Sequence, residues 1–259
     1  LSAGAGQQHR HWSDLGADVV KVESCRGAYE RGWSGCNTYK NGVSVFYLMA
    51  NRNQRGVALD LKSDEGRETI YRLVRDKGYD VILENFRPGV MDKLGLGYEE
   101  LKKLNPGVIY CSCTGYGSSG PKVRKPGQDL LIQGMSGLAA LAGPGDHPPM
   151  PTGTALVDQH GAILAALGIT AAVYDRDKTG KGHRIEASLL GSALDLQIEP
   201  IGYYLNGGTL TPRADTGLST RIHQSPYGIY KTADKYITLS LTSFENLEQA
   251  FTPGALEGF

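Results

Sequence analysis

The sequence predicts an α/β protein: a parallel sheet with helices on both faces, followed by the start of a smaller α+β domain. Short runs rich in β-branched residues alternate with helical patterns between residues 18 and 113. Turn residues separate these units, as at Asn105-Pro106-Gly107. Beyond residue 209, two strand-like runs flank one tight turn, which indicates an antiparallel pair.

The predicted parallel strands are short and mostly apolar, as expected of strands buried on both faces. They are residues 18–23, 57–61, 80–84, 108–113 and 184–187. Residues 1–12 show no clean period, and no strand is predicted before Gly4. Ligands of such sheets bind at the carboxyl ends of the strands, so we expect loops 85–89 and 114–125 to face a ligand.

Helical patterns fill the intervals between these strands. Ser63 is a good N-cap for a helix over 64–77, with Asp64 and Glu65 in its first turn. The other predicted helices are residues 43–51, 98–104, 130–141 and 189–206. The antiparallel pair, 227–231 with 236–241, belongs to a smaller domain that we expect to begin near Thr209.

Asp158 precedes an apolar stretch, residues 161–173, that contains no charged side chain. This stretch predicts a helix buried on most sides, with Asp158 at its N-cap. The partial positive charge of a helix N-terminus favours an ionised carboxylate there. Asp158 is therefore either a cap or a nucleophile at the mouth of an apolar core, and this stretch alone favours the cap because such caps are common.

Composition limits the classes of partner and the compartment. The chain has 259 residues with 27 Lys+Arg and 27 Asp+Glu, and the resulting zero net charge argues against a nucleic-acid or anionic-membrane partner. No apolar run reaches membrane-spanning length without charged or turn residues. Four cysteines make a poor disulfide framework, and the His/Cys spacings match no zinc site, so no metal is predicted. We expect a reduced, cytoplasmic protein.

The loop over residues 114–125 combines glycines and serines with the basic residues Lys122, Arg124 and Lys125. Such a loop allows a backbone to approach a phosphate. The same composition is typical of a flexible surface loop, and the pattern alone favours that second interpretation.

Six segments of the chain carry a family resemblance. They are LGADVVKVE (15–23), NRNQRGVALDLKSDEGR (51–67), DVILENFRPGVMDKLGLGYEEL (80–101), NPGVIYCSCTGYGSSGP (105–121), the Asp158 helix and TGKGHRIEASLL (179–190). Together they resemble the class III (CaiB/BaiF-type) CoA-transferase family, which includes formyl-CoA, carnitine and bile-acid CoA-transferases and the α-methylacyl-CoA racemases. One segment would be a weak signal, but the six follow the family's order and spacing.

The resemblance implies that Asp158 is the nucleophile of a transferase of sulfur-containing groups. In that family the carboxylate attacks an acyl-CoA thioester to give a mixed anhydride, and the released CoA thiolate converts the anhydride into an aspartyl-CoA thioester. An incoming carboxylic acid repeats the steps in reverse. Coenzyme A and acyl-CoA are then substrates, and no permanently bound cofactor is implied.

The resemblance also implies where CoA binds. The family binds CoA at the turn after the third predicted strand, and Lys93 stands where relatives carry Arg; either cation can contact a phosphate. The implied CoA-binding residues are Leu59 (adenine pocket), Asn85, Phe86, Lys93, Arg124 and Lys125.

Two alternatives remain beside the transferase. Racemases of the family place a His-Asp pair where this chain has Gln128-Asp129, and Gln cannot act as acid or base, which favours the transferase. His160 lies two residues beyond Asp158 and faces away from it on a helix, so we interpret it as a packed or surface histidine. The other alternative is a catalytically inactive acyl-CoA-binding fragment.

The chain departs from the family pattern at both ends. Family members begin with a strand and an Ala-Gly-Pro loop over the active site, whereas this chain has Gly4-Ala5-Gly6. They also continue past the position of Phe259 and close a ring that interlocks with a second ring in a homodimer. We therefore expect an incomplete chain.

The expected domains are a large Rossmann-like CoA-binding domain over 1–208 and a linker with a truncated small domain over 209–259. Residues 219–224 (STRIHQ) lack the glycines of the mobile loop in formyl-CoA transferase, which argues against the formyl/oxalate subgroup. The resemblance implies that the acid pocket depends on the first loop and the small domain, so the exchanged acids depend on those parts.

Overall fold

The structure, a computed structural model, describes residues 2–3, 10–215, 220–224, 226–240 and 242–250. Its strands are β1 (Ser2–Ala3), β2 (Val20–Glu23), β3 (Tyr39–Lys40), β4 (Val43–Ser44), β5 (Arg55–Ala58), β6 (Val81–Glu84), β7 (Ile109–Thr114), β8 (Arg184–Ser188), β9 (Gly228–Lys231) and β10 (Tyr236–Leu239). Its α-helices are α1 (Arg10–Asp14), α2 (Val45–Ala50), α3 (Asp64–Asp76), α4 (Val90–Lys93), α5 (Tyr98–Leu104), α6 (Asp129–Ser136), α7 (Leu156–Thr179), α8 (Leu189–Asp195), α9 (Ile198–Leu205) and α10 (Phe244–Ala250).

Within the described residues, six strands form a parallel sheet in the order β5-β2-β1-β6-β7-β8. The chain builds outward from β1 in one direction and then from β6 in the other. This is the doubly wound, Rossmann-like order, whose topological switch point lies between β1 and β6. The predicted α/β class with a parallel sheet is confirmed.

Strand β1 corrects the sequence analysis, which predicted no strand before Gly4. Ser2 and Ala3 pair with β2 on one side and with β6 on the other. Two small residues show no hydrophobic alternation, so only their non-local pairing identifies them as a strand. Residues 4–9, which include the expected active-site loop, lie outside the described residues.

Strand β7 shows why both faces of the sheet carry helices. Ile109, Cys111 and Cys113 pack with α7 residues in one buried cluster. Tyr110, pointing to the other face, packs in a second cluster with residues of α3 and α5. Because successive side chains of a strand alternate between faces, this single apolar run supplies both cores.

Local signals set several helix boundaries as predicted. The Ser63 hydroxyl accepts a hydrogen bond from the Gly66 N–H (3.0 Å), which caps α3 as predicted. Helix α5 has the predicted bounds. The helix predicted over 130–141 stops at Ser136 because Gly137 adopts a left-handed conformation with φ 85°.

Helix α7 differs from its prediction in two ways. Its N-cap is Ala155, so Asp158 lies in the first turn rather than at the cap. It is also buried along one stripe only: Ile163, Leu167 and Tyr174 on the opposite side are 53%, 64% and 65% exposed. An apolar composition indicates that a helix surface avoids water, but it does not show whether other parts of the same chain cover that surface.

By length and composition, α7 is the one described helix that could cross a membrane. It packs through Ala165, Ile169 and Ala172 against the parallel sheet. The core helix of a soluble protein passes the same test, so this feature is weak evidence of a membrane span.

The chain divides into two compact units. One comprises Leu1–Ile132 and Thr154–Leu196 and contains the parallel sheet; the other comprises Gln133–Gly153 and Gln197–Phe259. Within the second unit, β9 and β10 form the predicted antiparallel pair. The domain boundary predicted at 208/209 stays a prediction.

Candidate active site

Several predicted site residues lie at the carboxyl edge of the parallel sheet. Asn85 and Phe86 follow β6 directly, and the basic loop follows β7. Helix α7 also begins there, because Gly161 packs against Leu189 and Ser192, which follow the carboxyl end of β8. The fold therefore brings the start of α7, the Asn85–Phe86 turn and the basic loop to the edge where such sheets bind ligands.

Asp158 is a partly buried carboxylate in the first turn of α7. Its backbone N–H donates to Oδ2 of Asp129, the first residue of α6, at 3.0 Å. Among the described residues, no hydrogen bond reaches the Asp158 carboxylate itself. The group is thus held by its backbone and left open for chemistry.

Burial, followed by the negative charge of Asp129, raises the pKa of Asp158 to about 6. The helix N-terminus was expected to favour the ionised carboxylate, but the net shift of the pKa is upward. Loss of hydration and a like charge outweigh the stabilisation that a first-turn position provides. Well above pH 6 the carboxylate is still ionised, and its raised pKa makes it more basic than an ordinary aspartate.

Asp129 was considered in the sequence only as the partner of Gln128, in the racemase comparison. Its side chain, on α6, accepts the hydrogen bond of the Asp158 N–H in the first turn of α7. It therefore satisfies an otherwise unpaired N–H group at the start of that helix, as an N-cap side chain would. The available signal was an aspartate at the first residue of an apolar helix. Gln128 is exposed.

The loop after β2 contributes two residues that sequence reasoning missed. The Tyr29 side chain is 74% exposed, but partial burial and then the carboxylates of Glu30 and Asp158 raise its pKa, so its phenol stays a hydrogen-bond donor at neutral pH. Glu30 is only 5% exposed, and within the described part of the chain neither carboxylate oxygen has a hydrogen-bond partner. The loop has no period, so no sequence signal identified either residue.

Glu23, at the end of β2, anchors this loop. Its carboxylate accepts from Arg31 Nε (2.7 Å), the Tyr47 hydroxyl (2.6 Å) and the Ala28 N–H (3.1 Å), and Lys21 Nζ lies 3.4 Å away. Burial alone would raise the pKa of Glu23, but the hydrogen bonds from Arg31 and Tyr47 outweigh it and lower the pKa to about 2. Glu23 is therefore ionised and fixes the base of the loop that carries Tyr29.

Two of the predicted CoA-binding residues pack against one hydrophobic cluster. Leu59, which follows β5, and Phe86, which follows β6, pack against the same hydrophobic cluster. The Phe86 N–H donates to Glu84 Oε2 at 2.8 Å, which ties the turn to the end of β6. Asn85, which lies between Glu84 and Phe86 in the sequence, is partly buried. Lys93, the last residue of α4, is exposed.

The basic loop is closed at its base by two glycines. A Cβ atom added to Gly115 would lie 2.6 Å from the Cα of Gly127, so only glycine allows this approach. Arg124 and Lys125 are exposed, and among the described residues neither forms an ion pair. Their charges are therefore free to meet an anion.

His160 does not pair with Asp158. Its Nε2 lies 2.7 Å from Asp195 Oδ2. The interpretation of His160 as a packed or surface histidine stays a prediction. In the described part of the chain, no group of three His, Cys, Asp or Glu side chains could hold a metal ion.

Comparison with known proteins assigns the family. The model of CoA-transferase family III matches residues 8–255. The chain is 35% identical to succinyl-CoA:glutarate CoA-transferase of Mus musculus (87% of this chain, 50% of the relative) and 35% identical to acetyl-CoA:oxalate CoA-transferase of Acetobacter aceti (86% and 56%). It thus spans about half the length of the curated relatives it matches.

A solved structure gives the same assignment. The crystal structure of a CaiB/BaiF family protein from Brucella suis superposes with a TM-score of 0.79 at 34% identity, covering 91% of this chain and 63% of that chain. The sequence match and the shared fold agree over nearly the whole chain. The chain belongs to CoA-transferase family III.

Proposed function

We propose that this chain transfers CoA between an acyl-CoA thioester and a free carboxylic acid, with Asp158 as the covalent nucleophile. The observation that carries the proposal is the Asp158 carboxylate, which is partly buried at the carboxyl edge of the sheet and, among the described residues, accepts no hydrogen bond. An ionised carboxylate without a cationic partner keeps its electron pairs available for attack.

The proposed reaction begins when an Asp158 oxygen attacks the thioester carbonyl carbon. The carbon–sulfur bond breaks, which leaves an aspartyl–acyl anhydride and CoA thiolate. The thiolate attacks the aspartyl carbonyl, which releases the first acid and leaves a thioester on Asp158. The carboxylate of the second acid then attacks the aspartyl carbonyl of this thioester, which breaks the carbon–sulfur bond and expels CoA thiolate. The thiolate attacks the acyl carbon of the new anhydride, and the carbon–oxygen bond breaks to give the product thioester and the Asp158 carboxylate.

Each tetrahedral step places negative charge on a carbonyl oxygen, which needs a donor in a dry site. Tyr29 is a candidate donor because the carboxylate of Asp158 is among the groups that raise its pKa, although the Tyr29 side chain is 74% exposed before a substrate binds. CoA itself is assigned to Leu59, Asn85, Phe86, Lys93, Arg124 and Lys125. The shared cluster of Leu59 and Phe86 supports an adenine site, and the free charges of Arg124 and Lys125 support phosphate binding.

Two of the relatives are named for the transfer of CoA to glutarate or oxalate, so we propose dicarboxylic acids as the substrate class. Succinyl-CoA with glutarate is the first pair to test. The absence of glycine from residues 219–224 argues against the formyl/oxalate subgroup.

We also propose that the protein is cytoplasmic and forms a homodimer, interlocked as in the family. The free thiols of all four cysteines support a reducing compartment. The exposed Ile163, Leu167 and Tyr174 side chains on α7 support an interface that covers them. Sedimentation equilibrium tests the dimer, and a monomer at micromolar concentration contradicts it.

The test of the chemistry is intact-mass spectrometry after incubation with succinyl-CoA, followed by release with hydroxylamine. We expect an adduct on the unmodified chain and none on Asp158→Asn. Asp177→Asn, at the exposed far end of the same helix, is the matched control and should retain the adduct.

Two results would replace the proposal. CoA binding without an adduct on the unmodified chain assigns an inactive acyl-CoA-binding protein. Deuterium at the α-carbon of a 2-methylacyl-CoA, after incubation in deuterated water, assigns a racemase; Gln128 at the position of the racemase histidine argues against this.

A further inference from the structure

A buried carboxylate, Glu84, lies directly beside the Asn85–Phe86 turn at the switch point of the sheet. It is the last residue of β6 and is 5% exposed. Its Oε1 accepts from the Ser112 hydroxyl of β7, and its Oε2 accepts from the Phe86 N–H at 2.8 Å. Both oxygens are therefore used, one across the sheet and one along the chain.

The Ser112 bond follows from strand register. Glu84 and Ser112 are cross-strand partners in the parallel β6–β7 pair, so their side chains meet on the same face of the sheet. This bond fixes the carboxylate relative to β7 before the chain leaves the sheet. The carboxylate oxygen that accepts the Phe86 N–H is thereby positioned by two strands rather than by the turn itself.

A carboxylate at this depth is costly to the fold. Burial raises the pKa of Glu84 although its two hydrogen bonds lower it; Asp92 raises it further and Arg184 lowers it. A well-packed neutral residue would stabilise the sheet at least as well. The unfavourable burial of the Glu84 carboxylate is explained if this carboxylate holds the Asn85–Phe86 turn in the backbone conformation that ligand binding requires.

The consequence for the turn is geometric. Phe86 is held twice, by its N–H on Glu84 and by its ring in the hydrophobic cluster that also contacts Leu59. Asn85 lies between two fixed residues and is partly buried. Its backbone dihedral angles are restricted, so its position at the ligand edge is set before a ligand binds.

We propose that Glu84 is the positioning residue of the CoA-binding turn, holding Asn85 and Phe86 in the conformation that receives CoA. This inference rests on the proposed function, since it takes the turn as a CoA site. Glu84 itself does not touch the reacting atoms, so its loss weakens CoA binding without slowing the chemistry at Asp158.

The chain offers a matched control at the opposite edge of the sheet. The Asn105 side chain accepts from the Gly107 N–H, also two residues later and at 2.9 Å, in the turn before β7. Asn105→Ala removes the same kind of tether from a turn that lies far from the ligand edge. Its stability cost should resemble that of a Glu84 variant, with no effect on CoA.

The experiment measures the dissociation constant of free CoA by calorimetry and the rate of adduct formation at saturating succinyl-CoA. Glu84→Ala should weaken CoA binding about tenfold or more, since it removes a charge-assisted hydrogen bond from the turn. Glu84→Gln keeps an acceptor for the Phe86 N–H and should stay within about threefold of the unmodified chain. The adduct rate at saturation should not change in either variant.

Unchanged CoA binding in a folded Glu84→Ala overturns the inference, as does an equal loss in Asn105→Ala. If Glu84→Ala does not fold, Ser112→Ala decides: it frees the carboxylate from β7 and should weaken binding about threefold, whereas no change overturns the inference. An unmodified chain that binds CoA but forms no adduct refutes the proposed function and leaves the Glu84 inference standing. An unmodified chain that binds no CoA refutes both.

Discussion

Replacing Asp158 with asparagine should stabilise the folded chain at neutral pH while it abolishes the adduct. The pKa of Asp158 is raised from an ordinary 3.8 to about 6, first by burial and then by Asp129. Ionising the group in the folded state therefore costs about 3 kcal/mol more than in the unfolded chain. Below pH 3.8 the group is protonated in both states and this cost is absent, so the wild-type chain loses stability as the pH rises through 6.

Asparagine has nearly the same shape and cannot ionise, so the variant escapes this loss. We expect the free energy of unfolding of Asp158→Asn, relative to wild type, to rise by about 3 kcal/mol between pH 3.5 and pH 8. Comparing the two proteins across pH cancels any constant effect of burying an amide.

Urea unfolding of both proteins at several pH values measures this difference. Asp177→Asn serves as the control, because its side chain is 69% exposed at the other end of α7 and should differ from wild type by less than about 0.5 kcal/mol at every pH. A stability difference that stays flat with pH, or an Asp158→Asn chain that becomes relatively less stable toward pH 8, would refute the assignment of a raised pKa.

Three further predictions concern the pH dependence of adduct formation, the Glu23 anchor and two glycines. The rate of adduct formation should rise with pH around a midpoint near 6, where Asp158 ionises, and Asp129→Asn should move that midpoint to lower pH by removing the like charge. Mass spectrometry of incubations stopped at several times and pH values measures both. Glu23→Gln should lower the free energy of unfolding by about 3 kcal/mol at pH 7, because the pKa of Glu23 is lowered from 4.5 to about 2 in the folded chain. This loss should shrink as the pH falls from 4.5 to 2, which urea unfolding in that pH range measures. Gly66→Ala should lower the free energy of unfolding by about 2 kcal/mol or more, because the added Cβ would overlap the Asp60 carbonyl group. Gly134→Ala, in open space on α6, should raise it by about 0.5 kcal/mol, and thermal unfolding of the two variants measures both effects.

Much of the fold could be predicted because its signals are local. Ser63 caps α3 with its own side chain, and the apolar period of α5 ends at a proline–glycine turn. Strand β1 could not be predicted, since Ser2 and Ala3 carry no pattern and are defined by pairing with two strands distant in sequence. The one-sided burial of α7 was also hidden, because composition shows that a surface is apolar but not what covers it.

The family resemblance, not the residue pattern, assigned the nucleophile to Asp158 and CoA binding to the Asn85–Phe86 turn, and both assignments stay predictions. Tyr29 and Glu30 were missed because they sit in an aperiodic glycine-rich loop, and their relation to Asp158 exists only in three dimensions. The helix N-terminus was expected to favour the ionised form of Asp158, whereas the pKa of this carboxyl is raised. The direction of the Asp158 pKa shift depends on whether burial and the charge of Asp129 outweigh the effect of the helix N-terminus. A sequence shows neither how deeply the carboxylate is buried nor how close Asp129 lies to it.

The pairing of Asp158 with a second carboxylate, rather than with a cation, follows from what the proposed chemistry needs. A nearby Arg or Lys would lower the pKa of Asp158 and stabilise the fold, but it would also make the carboxylate a weaker nucleophile. Asp129 does the opposite: it accepts the Asp158 N–H, which fixes the backbone, while its charge raises the basicity of the side chain. In the proposed mechanism, Asp129 thus both positions the nucleophile and raises its basicity.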